Sequence, residues 1–168
     1  EIAGDFQTSC LMGTGQFCTN PGVILLLKSD EADAFIEAAK TKFQEAPVGT
    51  LLGSSVLSGL QQSVDSLQQA GADLVTGGRA GGGNGYSFQN TLLQVSGDQF
   101  LSNPEELQTE AFGNESLLVV AESIEEAAQV TRHFEGNLTG AVYSHSGSDD
   151  EEAYETFVPI LRRKVGRL

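Results

Sequence analysis

Pro21-Gly22-Val23-Ile24-Leu25-Leu26-Leu27-Lys28-Ser29 holds five consecutive apolar residues between a turn-forming pair and a polar pair. A short, bounded apolar run predicts a strand covered on both faces rather than one alternating between core and water. A helix is expected directly after it. Ser29 or Asp30 supplies the cap, and Phe35, Ile36, Ala39 and Phe43 fall on one stripe that stops before Pro47. Strand followed by helix is the unit of a parallel sheet.

The rest of the chain repeats that unit. A second amphipathic helix is expected over 54–70, with Val56, Leu57, Leu60, Val64 and Leu67 on one face and Gly71 as its stop. Short strands are expected at 73–76, 88–95, 117–121 and 138–143. Asn103-Pro104-Glu105-Glu106 has the pattern of a short helix start, and Ser123-Ile124-Glu125-Glu126 that of a capping box opening a helix closed by Gly136. A last helix begins near Asp149, where Pro159 must kink or split it. Strands separated by long helical connections predict an α/β fold, a mainly parallel sheet with helices on both faces.

Composition bounds the function. The chain has 168 residues, one domain's length, and carries 9 Lys and Arg against 23 Asp and Glu, a net charge of -14. Such a surplus repels phosphate backbones and anionic headgroups, so neither nucleic-acid nor membrane-surface binding is expected. No apolar run approaches the length of a membrane span. Cys10 and Cys18 are too few for a disulfide framework, and a reducing, cytoplasmic setting is the expectation. His133 and His145 have no partners at metal-ligand spacing, and the run Asp149 to Glu152 reads as a solvated helix start, so no metal is expected. Both ends read as cuts: residues 1–6 lie inside a helix, and Val165 opens a further strand.

Two glycine-bearing stretches invite a chemical reading. Residues 77–85 contain six glycines, but neither the dinucleotide spacing nor a lysine for a phosphate loop is present, and a strand rather than a helix follows. A flexible hairpin-like connection is the better reading. Gly15-Gln16-Phe17-Cys18-Thr19-Asn20-Pro21-Gly22 sets a cysteine on a loop between glycines, directly before the first strand. Such a thiol is a candidate nucleophile, and the competing reading is a buried packing cysteine. His133 or His145 would serve it as base in a cysteine hydrolase, and a non-catalytic α/β binding domain is the third class.

The octapeptide at 15–22, taken with Glu110-Ala111-Phe112-Gly113 ahead of a second apolar strand, closely resembles the aldehyde dehydrogenase superfamily. The likeness is strongest to its NADP-preferring fatty-aldehyde and ketoglutarate-semialdehyde branch. It implies a catalytic domain with a three-layer sandwich fold over residues 1–168, truncated at both ends and lacking the dinucleotide-binding domain that would be its partner. It also implies NADP or NAD as cofactor of the parent enzyme, none bound to this piece alone, an aldehyde substrate, and a homo-oligomeric parent.

The resemblance assigns roles residue by residue. Cys18 matches the nucleophile that forms a thiohemiacetal and then a thioester, with its own N–H as half of the oxyanion hole. Glu110 matches the acid that bonds the nicotinamide-side ribose, and Phe112 the ring packed beside it. Phe17, Thr19 and Asn20 flank the nucleophile and would line the aldehyde pocket. Asn114 stands where the family usually has proline, which alters the turn. The family's general base lies further upstream than Glu1, so the chain alone is expected to be inactive.

Overall fold

A computed structural model describes residues 1–145, 147 and 149–168. In chain order the elements are α1 (Ile2–Leu11), β1 (Val23–Leu27), α2 (Asp30–Glu45), α3 (Ser54–Gln69), β2 (Asp73–Thr76), β3 (Thr91–Ser96), α4 (Gly97–Ser102), β4 (Glu115–Ala121), α5 (Ile124–His133), β5 (Asn137–Thr139), α6 (Glu151–Leu161) and β6 (Val165–Arg167). Four strands form the main sheet in the order β1-β4-β3-β2. β1 and β3 both pair parallel with β4, while β2 runs antiparallel along the far edge.

Strand alternation divides the interior into two cores. On one face Leu93, Val95, Leu117 and Val119 meet Leu60, Val64 and Leu67 of α3, joined by Val23 and Leu25. On the other, Leu92 and Leu118 meet Phe6 and Cys10 of α1 and Ile36, Ala39 and Phe43 of α2, joined by Ile24 and Leu26. Consecutive residues of β4 thus serve opposite layers, as the two-residue period of a strand requires. The result is the expected mainly parallel sheet between helical layers.

Local signals explain most boundaries. The Ser29 hydroxyl accepts the Ala32 N–H at the start of α2, and Ser123 accepts the Glu126 N–H at the start of α5. The Glu126 carboxylate does not return to Ser123, as a full capping box requires, but takes the Glu122 N–H one residue earlier. The complete reciprocal box lies instead at Ser96 and Gln99, opening α4, a helix that hydropathy alone does not reveal.

Several expectations change in the structure. The five residues of β1 are half-buried, because β1 is an edge strand; the strand covered on both faces is β4, where all but Val120 are buried. The strand expected from Phe88 begins at Thr91, and Phe88 makes only a single bridge with Ala80. Glu106–Gln108 is a single 3-10 turn. α5 stops at His133, ahead of Gly136, because Phe134 is already extended at φ -58° and ψ 136°. The strand expected over 138–143 shrinks to β5, which pairs with β6 in a separate exposed sheet. Pro159 sits in the last turn of α6, where it removes one main-chain hydrogen bond without dividing the helix.

Candidate active site

The nucleophile candidate is presented by a turn with unusual backbone. Gly13, Thr14 and Gly15 follow α1 at φ 55°, 60° and 67°. The chain then closes a second turn in which the Asn20 N–H donates to the Phe17 carbonyl at 3.0 Å. Cys18 lies on that turn with its side chain exposed. Its N–H is bonded to no backbone carbonyl among the described residues. Phe17 and Thr19 beside it are exposed and Asn20 is half-buried.

Cys10 is the opposite case. Its side chain is fully buried, 3.0 Å from the Ser116 hydroxyl, and burial pushes its thiol up to about 12, with Ser116 opposing and the Glu115 charge adding to the rise. A thiol so placed packs and does not react. Of the two cysteines, only Cys18 faces solvent.

The second motif is joined to this turn directly. A β-carbon on Gly15 would stand 1.9 Å from the Gly113 carbonyl oxygen, so only glycine permits the approach. The Asn20 amide donates to that same carbonyl at 3.1 Å. From Gly113 the chain runs back to Phe112 and Glu110, whose main-chain carbonyl accepts the Ser63 hydroxyl at 2.9 Å. Glu110 and Phe112, with Ser55, Val56, Gly59 and Ser63 of α3, line an open concavity of about 270 Å³. An exposed carboxylate beside a half-open aromatic ring suits a ribose and a flat heterocycle. Its lining holds no basic side chain that would pair with a diphosphate.

Asn114 does more than replace a turn residue. It is buried, and its amide donates at 2.8 Å both to the Phe88 carbonyl and to Asn90 Oδ1. Asn90 in turn donates to the Phe43 and Ala46 carbonyls at the end of α2. Glu115 follows, fully buried, with Oε1 unpartnered among the described residues, and desolvation pushes its carboxyl up to about 8. The only trace of it in the sequence is a charged residue at the head of an apolar strand.

The histidines stand apart. The His133 carbonyl accepts from Gln108, and the His145 ring faces Asp149 at 3.6 Å; no hydrogen bond links either to Cys18 among the described residues. Among those residues no group of three or more His, Cys, Asp or Glu side chains is arranged to hold a metal ion. No helix there is long and apolar enough to cross a membrane.

A family model described as the aldehyde dehydrogenase family matches residues 2–157, which include both motifs. The chain belongs to the aldehyde dehydrogenase family. It is 31% identical to an alpha-ketoglutaric semialdehyde dehydrogenase 2 of Azospirillum brasilense over 99% of this chain and 31% of that protein. It is 30% identical to an alpha-ketoglutaric semialdehyde dehydrogenase of Acinetobacter baylyi over 100% of this chain and 32% of that one. The chain therefore spans about a third of the length of the curated relatives it matches. In fold it matches the lactaldehyde dehydrogenase of Escherichia coli at TM-score 0.77 and 23% identity, covering 98% of this chain and 35% of that structure. An aldehyde dehydrogenase of Bartonella henselae gives 0.76 at 22%, with 98% and 35% covered.

Proposed function

We propose that residues 1–168 are the cysteine-bearing catalytic domain of an NAD(P)-dependent aldehyde dehydrogenase, completed by a dinucleotide-binding domain of the same protein. The observation that carries this reading is the junction of the two motifs, with Gly15 against Gly113 and Asn20 bonded to the Gly113 carbonyl. It joins the turn that carries an exposed thiol to the segment that carries Glu110 and Phe112.

In the reaction, the Cys18 thiolate adds to the aldehyde carbon and makes a thiohemiacetal. The Cys18 N–H, which no main-chain carbonyl occupies among the described residues, is free to donate to the developing oxyanion. A nicotinamide dinucleotide, when bound, supplies the acceptor for the hydride that leaves this carbon. Loss of that hydride leaves a thioester on Cys18. Water then adds to the thioester carbon, and the carboxylic acid departs as the thiol is regenerated. Glu110 would accept hydrogen bonds from the ribose hydroxyls and Phe112 would cover one side of the adjoining ring. Phe17, Thr19 and Asn20 would shape the aldehyde end, Asn20 also holding the turn to the second motif.

The likeness to semialdehyde dehydrogenases supports an aldehyde carrying a second polar group as substrate. Two free cysteines support a reducing compartment, the cytoplasm. The exposed β5–β6 sheet is suited to a homo-oligomer contact. The test is formation of reduced nicotinamide from an aldehyde panel by the protein as its organism makes it. Activity should vanish in Cys18→Ser and be absent from the isolated 168-residue chain. Activity that survives Cys18→Ser would sink the reading.

A further inference from the structure

The turn that leads into Cys18, residues 13–15, has backbone that its own sequence does not favour at Thr14. Thr14 is β-branched and sits in left-handed backbone between two glycines that share it, a position such residues rarely take unless their surroundings impose it. The surroundings come from residues 48–52. Thr14 packs on Gly49 so closely that a β-carbon there would stand 2.1 Å from Thr14 Oγ1. The Gln16 carboxamide uses both its ends: Nε2 donates to the Gly13 carbonyl at 2.9 Å and the Thr50 carbonyl at 3.4 Å, and Oε1 accepts the Leu52 N–H at 2.8 Å.

Residues 48–52 are themselves fastened from behind. The Leu51 N–H donates to the Tyr86 carbonyl at 2.7 Å, and the Thr50 hydroxyl to the Asn84 carbonyl at 3.0 Å. A β-carbon on Gly83 would come within 2.5 Å of the Val48 carbonyl oxygen, so bare backbone is required there. Contacts thus run without a break from the glycine-rich stretch through 48–52 to the residue two places before Cys18.

We propose that Gln16 is a positioning residue for Cys18, and that residues 83–86 buttress the nucleophile turn through residues 48–52. The inference rests on the reading of Cys18 as the nucleophile. A side chain that fixes the turn fixes the angle at which sulfur meets the carbonyl, and small misplacements of a reacting atom lower the rate steeply. It also gives the glycine-rich stretch a mechanical reason for its composition, where no phosphate-binding pattern exists.

The test uses the protein as its organism makes it, with two readouts. One is kcat and KM for aldehyde and dinucleotide. The other is the rate of iodoacetamide alkylation at Cys18 across pH, followed on the Cys18 peptide by mass spectrometry. Gln16→Ala should lower kcat about tenfold or more while the dinucleotide KM stays within about twofold, and should change the rate of alkylation at Cys18. Gln16→Glu keeps Oε1 but turns an acceptor toward two carbonyls, and should not rescue. Thr50→Val removes only the link to Asn84 and should move both readouts the same way by less.

Unchanged kcat and alkylation rate in Gln16→Ala overturn the proposal, as does a loss of kcat that tracks only the unfolded fraction. Should Gln16→Ala fail to fold, Thr50→Val decides, and wild-type behaviour of that variant overturns the buttress. If the wild-type protein oxidises no aldehyde, the alkylation series still judges the positioning, so the two failures remain distinct.

Discussion

Gly15 and Gly113 meet backbone to backbone, with room for no β-carbon between them. Two motifs far apart in the chain are thereby welded at one point, Gly15 at φ 67° and Gly113 at φ 155°. Gly15→Ala should place a methyl group against the Gly113 carbonyl and force left-handed backbone on alanine. A destabilisation on the order of 3 kcal/mol is expected, read from urea denaturation. A midpoint equal to wild type would show that the junction yields freely.

Glu115 sets an uncommon pH dependence. Its carboxyl is raised from 4.5 to about 8 by desolvation alone, so the folded state holds a proton that the unfolded chain releases. The unfolded state then binds fewer protons between these values, and stability falls as pH rises from about 4.5 to about 8. The neighbouring Cys10 thiol, itself pushed up to about 12, stays neutral over this range and adds no charge. Glu115→Gln should flatten the slope and stabilise the protein at pH 8 by a few kcal/mol. Equal slopes for both proteins in pH-stepped denaturation would refute the assignment.

The two thiols should separate under alkylation. Iodoacetamide on the native protein is expected to modify Cys18 and spare Cys10, which is fully buried and bonded to Ser116. Cys10 should react only in denaturant. Peptide mapping before and after unfolding checks this, and early labelling of Cys10 would mean that the α1 layer opens readily.

Asn114 ties the head of β4 to the 88–90 segment with two bonds of 2.8 Å. Asn114→Ala leaves the Phe88 carbonyl and Asn90 Oδ1 without that donor, at a cost of about 1–3 kcal/mol. Thermal melts of the variant against wild type measure it. No change in melting temperature would mean that water replaces the amide at no cost.

Much of the fold is legible in local pattern. The runs at 23–27 and 117–121 become adjacent parallel strands, and the stripes at 35–43 and 56–67 become the helices covering opposite faces. What hydropathy does not carry is order within the sheet. Val23 to Leu27 are as apolar as Leu117 to Ala121, yet only the second run is central, because position depends on which strands lie on either side. Phe88 misled for a related reason: its side chain is buried, but its backbone pairs only at one bridge.

At the site, Cys18, Glu110 and Phe112 stand out by motif, and their joining through Gly15, Asn20 and Gly113 does not. That junction depends on main-chain carbonyls, which any residue type supplies and no pattern marks. Gln16 is similar. Its three partners are all backbone groups of residues 13, 50 and 52. Glu115 left a visible trace, a carboxylate opening an apolar strand, but its burial follows only from the layers that close over it.

β4 has one more consequence. Leu117 and Val119 belong to the α3 layer while Leu118 belongs to the layer of α1 and α2, so neither layer can peel away and leave the strand intact for the other. The two layers form a single cooperative unit whose last amides to exchange with solvent should be those of residues 117–119.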